Sequence, residues 1–160
     1  MDREPMWAKC RSIEENSLYN AQTHFEEARR RTVWSRWLLI GPSLLSFGAG
    51  TAVALGAPRP VGVLALVGGL IAGLAGALDI SQNVYRHIQA GNAFTALRHD
   101  AETLRITFGP LKTDDELVAA IRELHDRYNT LVSSTDTTSQ RAFETARARI
   151  HQGVFKSDDA

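Results

Sequence analysis

Histidine is the residue type in this 160-residue sequence best suited to bind a metal or move a proton, but its spacing favours neither role. The five histidines stand at positions 24, 87, 99, 125 and 151, and no two have the i, i+4 spacing of a helical metal site. His24 and Glu27 form one i, i+3 pair, whereas a di-iron bundle needs two such pairs that face each other. His99-Asp100 matches the dipeptide of metal phosphohydrolases, but no other histidine lies at a supporting spacing. We therefore predict histidines on solvated helix faces, with no metal site and no cofactor.

Other residues that carry enzyme chemistry are isolated in the sequence. Cys10 has no histidine near it that would activate a thiol, and a single cysteine forms no internal disulfide. No stretch predicts a strand, so no glycine-rich phosphate loop follows one. The formal net charge is zero, which gives no electrostatic case for binding nucleic acid. The sequence therefore predicts a protein that is not an enzyme and has no catalytic residues.

Two uncharged runs dominate the middle of the chain, 22 residues from Trp37 to Pro58 and 19 from Pro60 to Leu78. At about 1.5 Å per residue, each run is long enough to cross a hydrocarbon core of roughly 30 Å. The two prolines around Arg59 predict a tight reversal between them. We predict an all-α membrane protein with a transmembrane hairpin at 37–79, whose spans are about 37–57 and 61–79 around a turn at 57–60. Residues 1–36 then form a cytoplasmic amphipathic helix, residues 80–152 a cytoplasmic helical region, and residues 153–160 a flexible tail.

Arginines concentrate on one side of this predicted hairpin. Those near the cytoplasmic ends of the spans are Arg29, Arg30, Arg31 and Arg36 before the first span and Arg86 and Arg98 after the second, against Arg59 alone in the turn. By the positive-inside rule both termini face the cytoplasm, so we predict a multi-pass membrane protein. Trp34 and Trp37 flank Arg36 at the level of the headgroups. We interpret these three residues as interface anchors on anionic lipid, in preference to a nucleic-acid surface.

Small residues recur every four positions along the second predicted span. One row is Ala65, Gly69, Gly73 and Ala77, and the neighbouring row is Gly68, Ala72 and Gly76. In water each interior glycine would cost a helix about 1 kcal/mol, whereas in lipid small residues allow helix backbones to approach closely. The rows fit packing against the first span, packing between protomers, or tolerance of glycine without a close contact.

Hydroxyl side chains mark one side of the first predicted span. Ser43, Ser46 and Thr51 lie within about 140° on a helical wheel and are candidates for a mildly polar pore lining. Equally, each hydroxyl could bond the carbonyl one turn back and need no water. Because no charged residue or histidine lies between Trp37 and Ala57 or between Val61 and Leu78, neither span predicts a proton relay or an ion-binding site.

The segments outside the predicted membrane carry helical apolar stripes. A weak stripe from Leu18 to Thr32 includes Phe25, and a second helix contains Phe94 and Leu97 and ends at Gly109-Pro110. Thr113 and Glu116 predict a capping box. The helix that follows carries Leu117, Ile121, Leu124, Tyr128 and Leu131 in heptad spacing. We predict a linker at 133–139 and a last helix at about 140–150, and we expect the stripes to pack on one another or on copies of themselves.

Three stretches together resemble one family. They are Tyr19-Asn-Ala-Gln with Phe25-Glu-Glu-Ala-Arg-Arg, the glycine-rich hairpin, and Ala90-Gly-Asn-Ala-Phe-Thr-Ala-Leu-Arg98. Over roughly residues 15–150 the chain is similar to the SLATT domain, the two-transmembrane effector associated with bacterial nucleotide-signalling and conflict systems. The resemblance implies an antiviral effector that forms a pore or disrupts the inner membrane and causes abortive infection. It also implies a homo-oligomer and a separately encoded sensor or nucleotide-signalling protein as a partner.

Two hypotheses for the function remain open at this point. In the first, protomers associate and a trigger rearranges the spans into a leak through the inner membrane. In the second, the hairpin only anchors an adaptor or scaffold, whose cytoplasmic helices recruit a signalling partner without forming a pore. A phage-type holin fits less well, because the predicted cytoplasmic helical region is large.

Overall fold

The computed structural model describes residues 3–58, 60–77 and 80–153, and every regular element in these ranges is helical. The five α-helices there are α1 (Glu4–Ala54), α2 (Pro60–Ala77), α3 (Ile80–Thr103), α4 (Asp114–Ser134) and α5 (Gln140–His151). The prediction of an all-α protein is confirmed for the described residues. The chain divides into a hairpin unit, Ala28–Tyr85, and a terminal unit built from Met1–Glu27 and Arg86–Ala160.

The hairpin unit reverses direction slightly earlier than the sequence predicts. α1 continues through Pro42 and ends at Ala54, so the boundary predicted at residues 36 and 37 falls inside one helix. Leu55 and Gly56 then form a turn in which Gly56 has a φ of +98°, a conformation that only glycine adopts readily. α2 starts at Pro60, the favoured residue for a first helical position.

Some sequence predictions fall on residues outside the described ranges. They are Arg59 in the predicted turn, positions 78 and 79 at the end of the second predicted span, and the predicted tail beyond Gly153.

In the terminal unit, α1, α3 and α4 form one apolar core. Its buried residues are Met6, Cys10, Ile13, Leu97, Ala101, Leu104, Leu117, Ile121 and Leu124. Tyr128 and Leu131 are partly buried against it, Phe94 is buried, and the ring of Phe25 contacts the position where Gly91 would carry a Cβ. The stripes of the terminal unit therefore pack on one another within the chain. On α1 this stripe begins at Met6, twelve residues before the start that the sequence predicts.

The capping box predicted at the start of α4 is confirmed. The Thr113 hydroxyl accepts a bond from the Glu116 backbone N–H, and the Glu116 carboxylate accepts one from the Thr113 N–H at 2.9 Å. These bonds from Thr113 hold the pKa of Glu116 below its usual value. Arg3 donates to Asp114 at 2.7 Å and lowers the pKa of that carboxyl, so the beginning of α1 is tied to the beginning of α4.

The corner between α3 and α4 closes around a glycine. After Thr103 the chain makes one π turn, Leu104–Phe108, and a short 3-10 turn, Gly109–Leu111. A Cβ on Gly109 would lie 2.5 Å from the Leu104 carbonyl oxygen and 2.5 Å from the Trp7 ring. Only glycine therefore allows Trp7 of α1 to pack against this corner.

We expect Leu97→Ala to lower the free energy of unfolding by about 2–5 kcal/mol, because it opens a cavity at a fully buried position of the core. Leu111→Ala is the matched control, since 83% of the Leu111 side chain is exposed. Thermal unfolding in detergent, followed by circular dichroism, measures both. Equal midpoints for the two variants would contradict the proposed core.

Candidate functional site

Within the hairpin unit, Gly68 of α2 lies directly against the backbone of α1. A Cβ there would lie 2.7 Å from the Pro42 carbonyl oxygen and 3.1 Å from the Ser46 backbone nitrogen. Farther along, a Cβ on Gly62 would be 3.7 Å from Val53. Backbone therefore contacts backbone at Gly68, and any side chain at this position would push the two helices apart.

The three hydroxyls proposed as a pore lining do not act alike. Ser46 donates to the Ala65 carbonyl oxygen at 2.7 Å, a hydrogen bond that joins α1 to α2. Ser43 and Thr51 are exposed, and each donates to the carbonyl one turn back, at 2.6 Å to Leu39 and 2.9 Å to Phe47. Ser46 is thus a packing residue of the hairpin, and the other two hydroxyls already have backbone acceptors.

The two rows of small residues have different surroundings. The row that contains Gly68 faces α1, and Ala72 in the same row is half-buried. In the other row Gly69 and Gly73 are exposed, and nothing lies within 4 Å of the position where Gly73 would carry a Cβ. Ala65, in that row, is half-buried. The packing of Gly76 and Ala77 lies outside what the structure describes.

The hairpin unit exposes large apolar side chains along both helices. Those exposed over more than half of their surface include Trp37, Leu44, Phe47, Leu66, Leu70 and Leu74. α1 contains one stretch that is long and apolar enough to cross a membrane, and almost none of that stretch is buried. The apolar part of α2, Pro60–Ala75, is shorter than such a span in the described range. One of the two predicted spans therefore meets the length and apolarity of a membrane helix.

The predicted interface anchors form an exposed band on α1. Trp34 and Trp37 are 64% and 68% exposed, and Arg36 between them is also exposed. Arg29 lies one to two helical turns earlier and is likewise exposed. An indole exposed to this extent on a helix that becomes apolar at its next turn matches the aromatic belt of membrane interfaces.

In the terminal unit, the structure brings together two histidines that the sequence places 63 residues apart. His24 of α1 and His87 of α3 are 4% and 1% exposed, and their Nδ1 atoms are 3.0 Å apart. The His24 ring also stacks on Phe94, with ring centroids 5.7 Å apart. At this distance one Nδ1 donates a proton and the other accepts it, so the pair links α1 to α3 by a buried hydrogen bond.

Carboxylates lie near this pair. Glu27, one turn after His24, is buried and accepts hydrogen bonds from the backbone N–H and the hydroxyl of Ser139, the residue that caps α5. Burial lowers the pKa of His24 to about 4, and the neighbouring His87 lowers it as well, against the opposing effects of Asp136 and Glu27. His24 is therefore neutral at pH 7.

Comparison with protein-family models, curated proteins and solved structures gives no match.

The described residues offer little further chemistry. Among them, no three histidine, cysteine or acidic side chains are grouped so as to hold a metal ion. Cys10 is fully buried, and burial raises the pKa of its thiol, which keeps the thiol protonated and unreactive. The prediction that the histidines lie on solvated helix faces is wrong for His24 and His87, which are buried, and sequence reasoning missed their pairing. Its one available signal was register, because His24 continues the 3–4 spacing of Met6, Cys10 and Ile13.

We expect Gly68→Leu to separate α1 from α2 at a cost of about 1–3 kcal/mol, since leucine must displace backbone atoms of α1. Gly73→Leu is the matched control, because the same change there meets open space. Disulfide formation between cysteines placed at positions 53 and 62, with Cys10→Ala, measures the helix contact in membranes. Equal cross-linking of both variants would contradict the assignment of Gly68 to the hairpin contact.

We expect the protein to lose stability as the pH falls from about 6.5 to about 4, in part through His24. The folded state lowers the pKa of this residue to about 4, so over that interval the unfolded chain binds more protons. The contribution of His24 to the free energy of unfolding is fully present above pH 6.5. It falls by up to about 1.4 kcal/mol for each unit by which the pH is lowered below that value. Thermal unfolding of wild type and His24→Asn measures it, and a pH dependence that is identical in both proteins would contradict it.

Proposed function

We propose that the protein is a membrane-embedded effector of a bacterial anti-phage or conflict system. In this proposal it has no enzymatic activity, and its hairpin unit crosses the inner membrane twice. Protomers associate and, when infection is sensed, form a pore or disrupt the membrane, which kills or arrests the cell. The conflict-system role is supported by the SLATT resemblance, and the membrane role by the surface of the hairpin unit.

The exposed apolar surface of the hairpin unit is the observation that carries the proposal. Large side chains such as Phe47 on α1 and Leu66 on α2 are about three-quarters exposed, at 76% and 75%. Soluble monomers rarely expose contiguous apolar surface on this scale, whereas a bilayer solvates it. A surface of this kind on both helices favours a hairpin that lies in lipid.

The length of α2 is compatible with a second span. Its 18 residues extend about 27 Å at 1.5 Å per residue, close to a hydrocarbon core of roughly 30 Å. A shorter helix is accommodated by local thinning of the bilayer or by flanking residues that reach the interface. The turn at Gly56 returns the chain toward the side from which it came, as two spans require.

The distribution of charge supports cytoplasmic termini. Arg29 and Arg36 precede the apolar part of α1, and Arg86 and Arg98 follow the hairpin. Between the spans stands the single Arg59. Under the positive-inside rule this asymmetry favours a cytoplasmic terminal unit, which a separately encoded sensor or nucleotide-signalling protein would reach.

The exposed glycines Gly69 and Gly73 support association between protomers. Gly69 and Gly73 are exposed, and Gly73 is free of contacts within the hairpin, so a helix from a second copy has room to approach there. In lipid, close backbone packing is a main source of helix association, since apolar burial gives no driving force.

A membrane-anchored adaptor is the second candidate function, favoured by a cleft in the terminal unit. The cleft has a volume of about 770 Å³ and lies between α3 and α4. Its lining combines small apolar residues with charged ones, among them Ala93, Ala96, Arg122 and Asp126. A mixed lining of this kind suits contact with a protein partner, and in that case the hairpin serves only as an anchor.

We expect expression of the protein with its trigger to depolarise the bacterial membrane before viability falls, as followed with a voltage-sensitive dye. Gly73→Leu should abolish the depolarisation and reduce oligomer size, because it blocks close approach without disturbing the hairpin. Gly48→Leu on α1 is the matched control, since it also meets open space.

The other outcomes separate the two candidate functions. A polarised membrane under triggering conditions, with the protein present in the membrane fraction, would exclude the pore and favour the adaptor. If Gly73→Leu depolarises the membrane at the wild-type rate, the row that contains Gly69 and Gly73 does not form the contact between protomers.

A further inference from the structure

The buried contact between His24 and His87 has a chemical property that its apolar neighbours lack. A neutral imidazole carries one N–H and one lone pair, so two neutral rings whose Nδ1 atoms face each other at 3.0 Å form one hydrogen bond. An imidazolium carries a proton on both nitrogens and has no lone pair. The pair can thus keep its bond with one added proton, but with two added protons an N–H faces an N–H and two positive charges meet.

The surroundings decide which of these states the fold accepts. Both rings are almost fully buried, and His24 is stacked on Phe94, so water does not solvate an added charge. The charged groups that act on His24 are His87 from α3, Glu27 from α1 itself, and Asp136 from the segment before α5. The two carboxylates offset one positive charge.

The histidine pair lies close in sequence to both ends of the hairpin unit. His24 is four residues before Ala28, where the hairpin unit begins, and His87 is two residues after Tyr85, where it ends. The pair joins α1 to α3 beside the two points at which the chain leaves and re-enters the terminal unit. Ser139, the N-cap residue of α5, donates a hydrogen bond to Glu27, which lies one helical turn after His24. The start of α5 is therefore joined to α1 next to the histidine pair.

We propose that the His24–His87 contact is an acid-operated lock between α1 and α3, closed by neutral rings and opened when both rings become imidazolium. At neutral pH it holds the two helices together. In acid the like charges and the lost acceptor separate α1 from α3 at this level.

The test measures the distance between the two helices as a function of pH. Spin labels are attached to cysteines at positions 16 on α1 and 92 on α3, both exposed, in the full chain with Cys10→Ala. Double electron–electron resonance is recorded in lipid nanodiscs from about pH 7.5 to about pH 4. We expect a longer distance to appear in acid, its population rising up to about a hundredfold per pH unit because opening requires two protons.

Two variants assign the opening to the pair. His24→Asn keeps a neutral hydrogen-bonding side chain that does not titrate, so it should stay closed throughout. His99→Asn removes an exposed histidine of the same unit, so it should open like the wild type. An unchanged distance in the wild type, or equal opening in His24→Asn, would overturn the proposal, the latter by assigning the opening to the carboxylates.

Nitrogen chemical shifts of the wild-type histidines supply a second measurement, which holds even if His24→Asn does not fold. The two ring signals should change to the imidazolium form over the same pH interval as the distance. Charged rings at the closed distance would refute the lock. Vesicle leakage at about pH 7.5, where the lock is closed, tests the proposed function separately. Absence of leakage would contradict the pore, whereas an unchanged distance in acid would contradict the lock.

Discussion

The packing of α3 on the first part of α1 is the contact on which the rest of this molecule depends. It builds the core around Leu97, and it places residue 24 beside residue 87. The chain therefore leaves the terminal unit and returns to it at neighbouring points. The residues between those points form the hairpin unit, and the α1–α3 contact already brings its two ends together.

The two units solve the packing of α-helices in different ways. The terminal unit interlocks large side chains such as Phe94, Leu97 and Leu117, all almost completely buried. The hairpin unit instead has small residues at the helix contact. Gly68 therefore touches the backbone of α1, and Ser46 donates a hydrogen bond to the backbone of α2. The first solution suits water, where apolar burial drives association, and the second suits lipid, where close backbone contact and hydrogen bonds remain.

Features with a local signal could be predicted from the sequence. The capping box at Thr113 is a four-residue pattern, and the heptad residues of α4 repeat within two turns, so neither needs knowledge of a partner. The start of the reversal is placed two residues late, because the φ of Gly56 depends on how α1 ends. The contact row of α2 could not be chosen, since Gly68 and Gly73 are chemically identical and only the crossing of two helices distinguishes them. The pairing of His24 with His87 is hidden for the same reason.

The contacts of α1 also determine the order in which the chain can fold during synthesis. Its first 28 residues emerge from the ribosome early, but their partners lie far along the chain, at Leu97, Leu117 and finally Arg149, which bonds Glu26. At roughly 5–20 residues per second, the gap of about a hundred residues lasts on the order of ten seconds. For much of that interval the hairpin unit is still being synthesised, and the apolar face of α1 stays uncovered until α3 and α4 emerge. The terminal unit thus folds only after the hairpin unit has been synthesised, and its fold is completed by α3, α4 and α5.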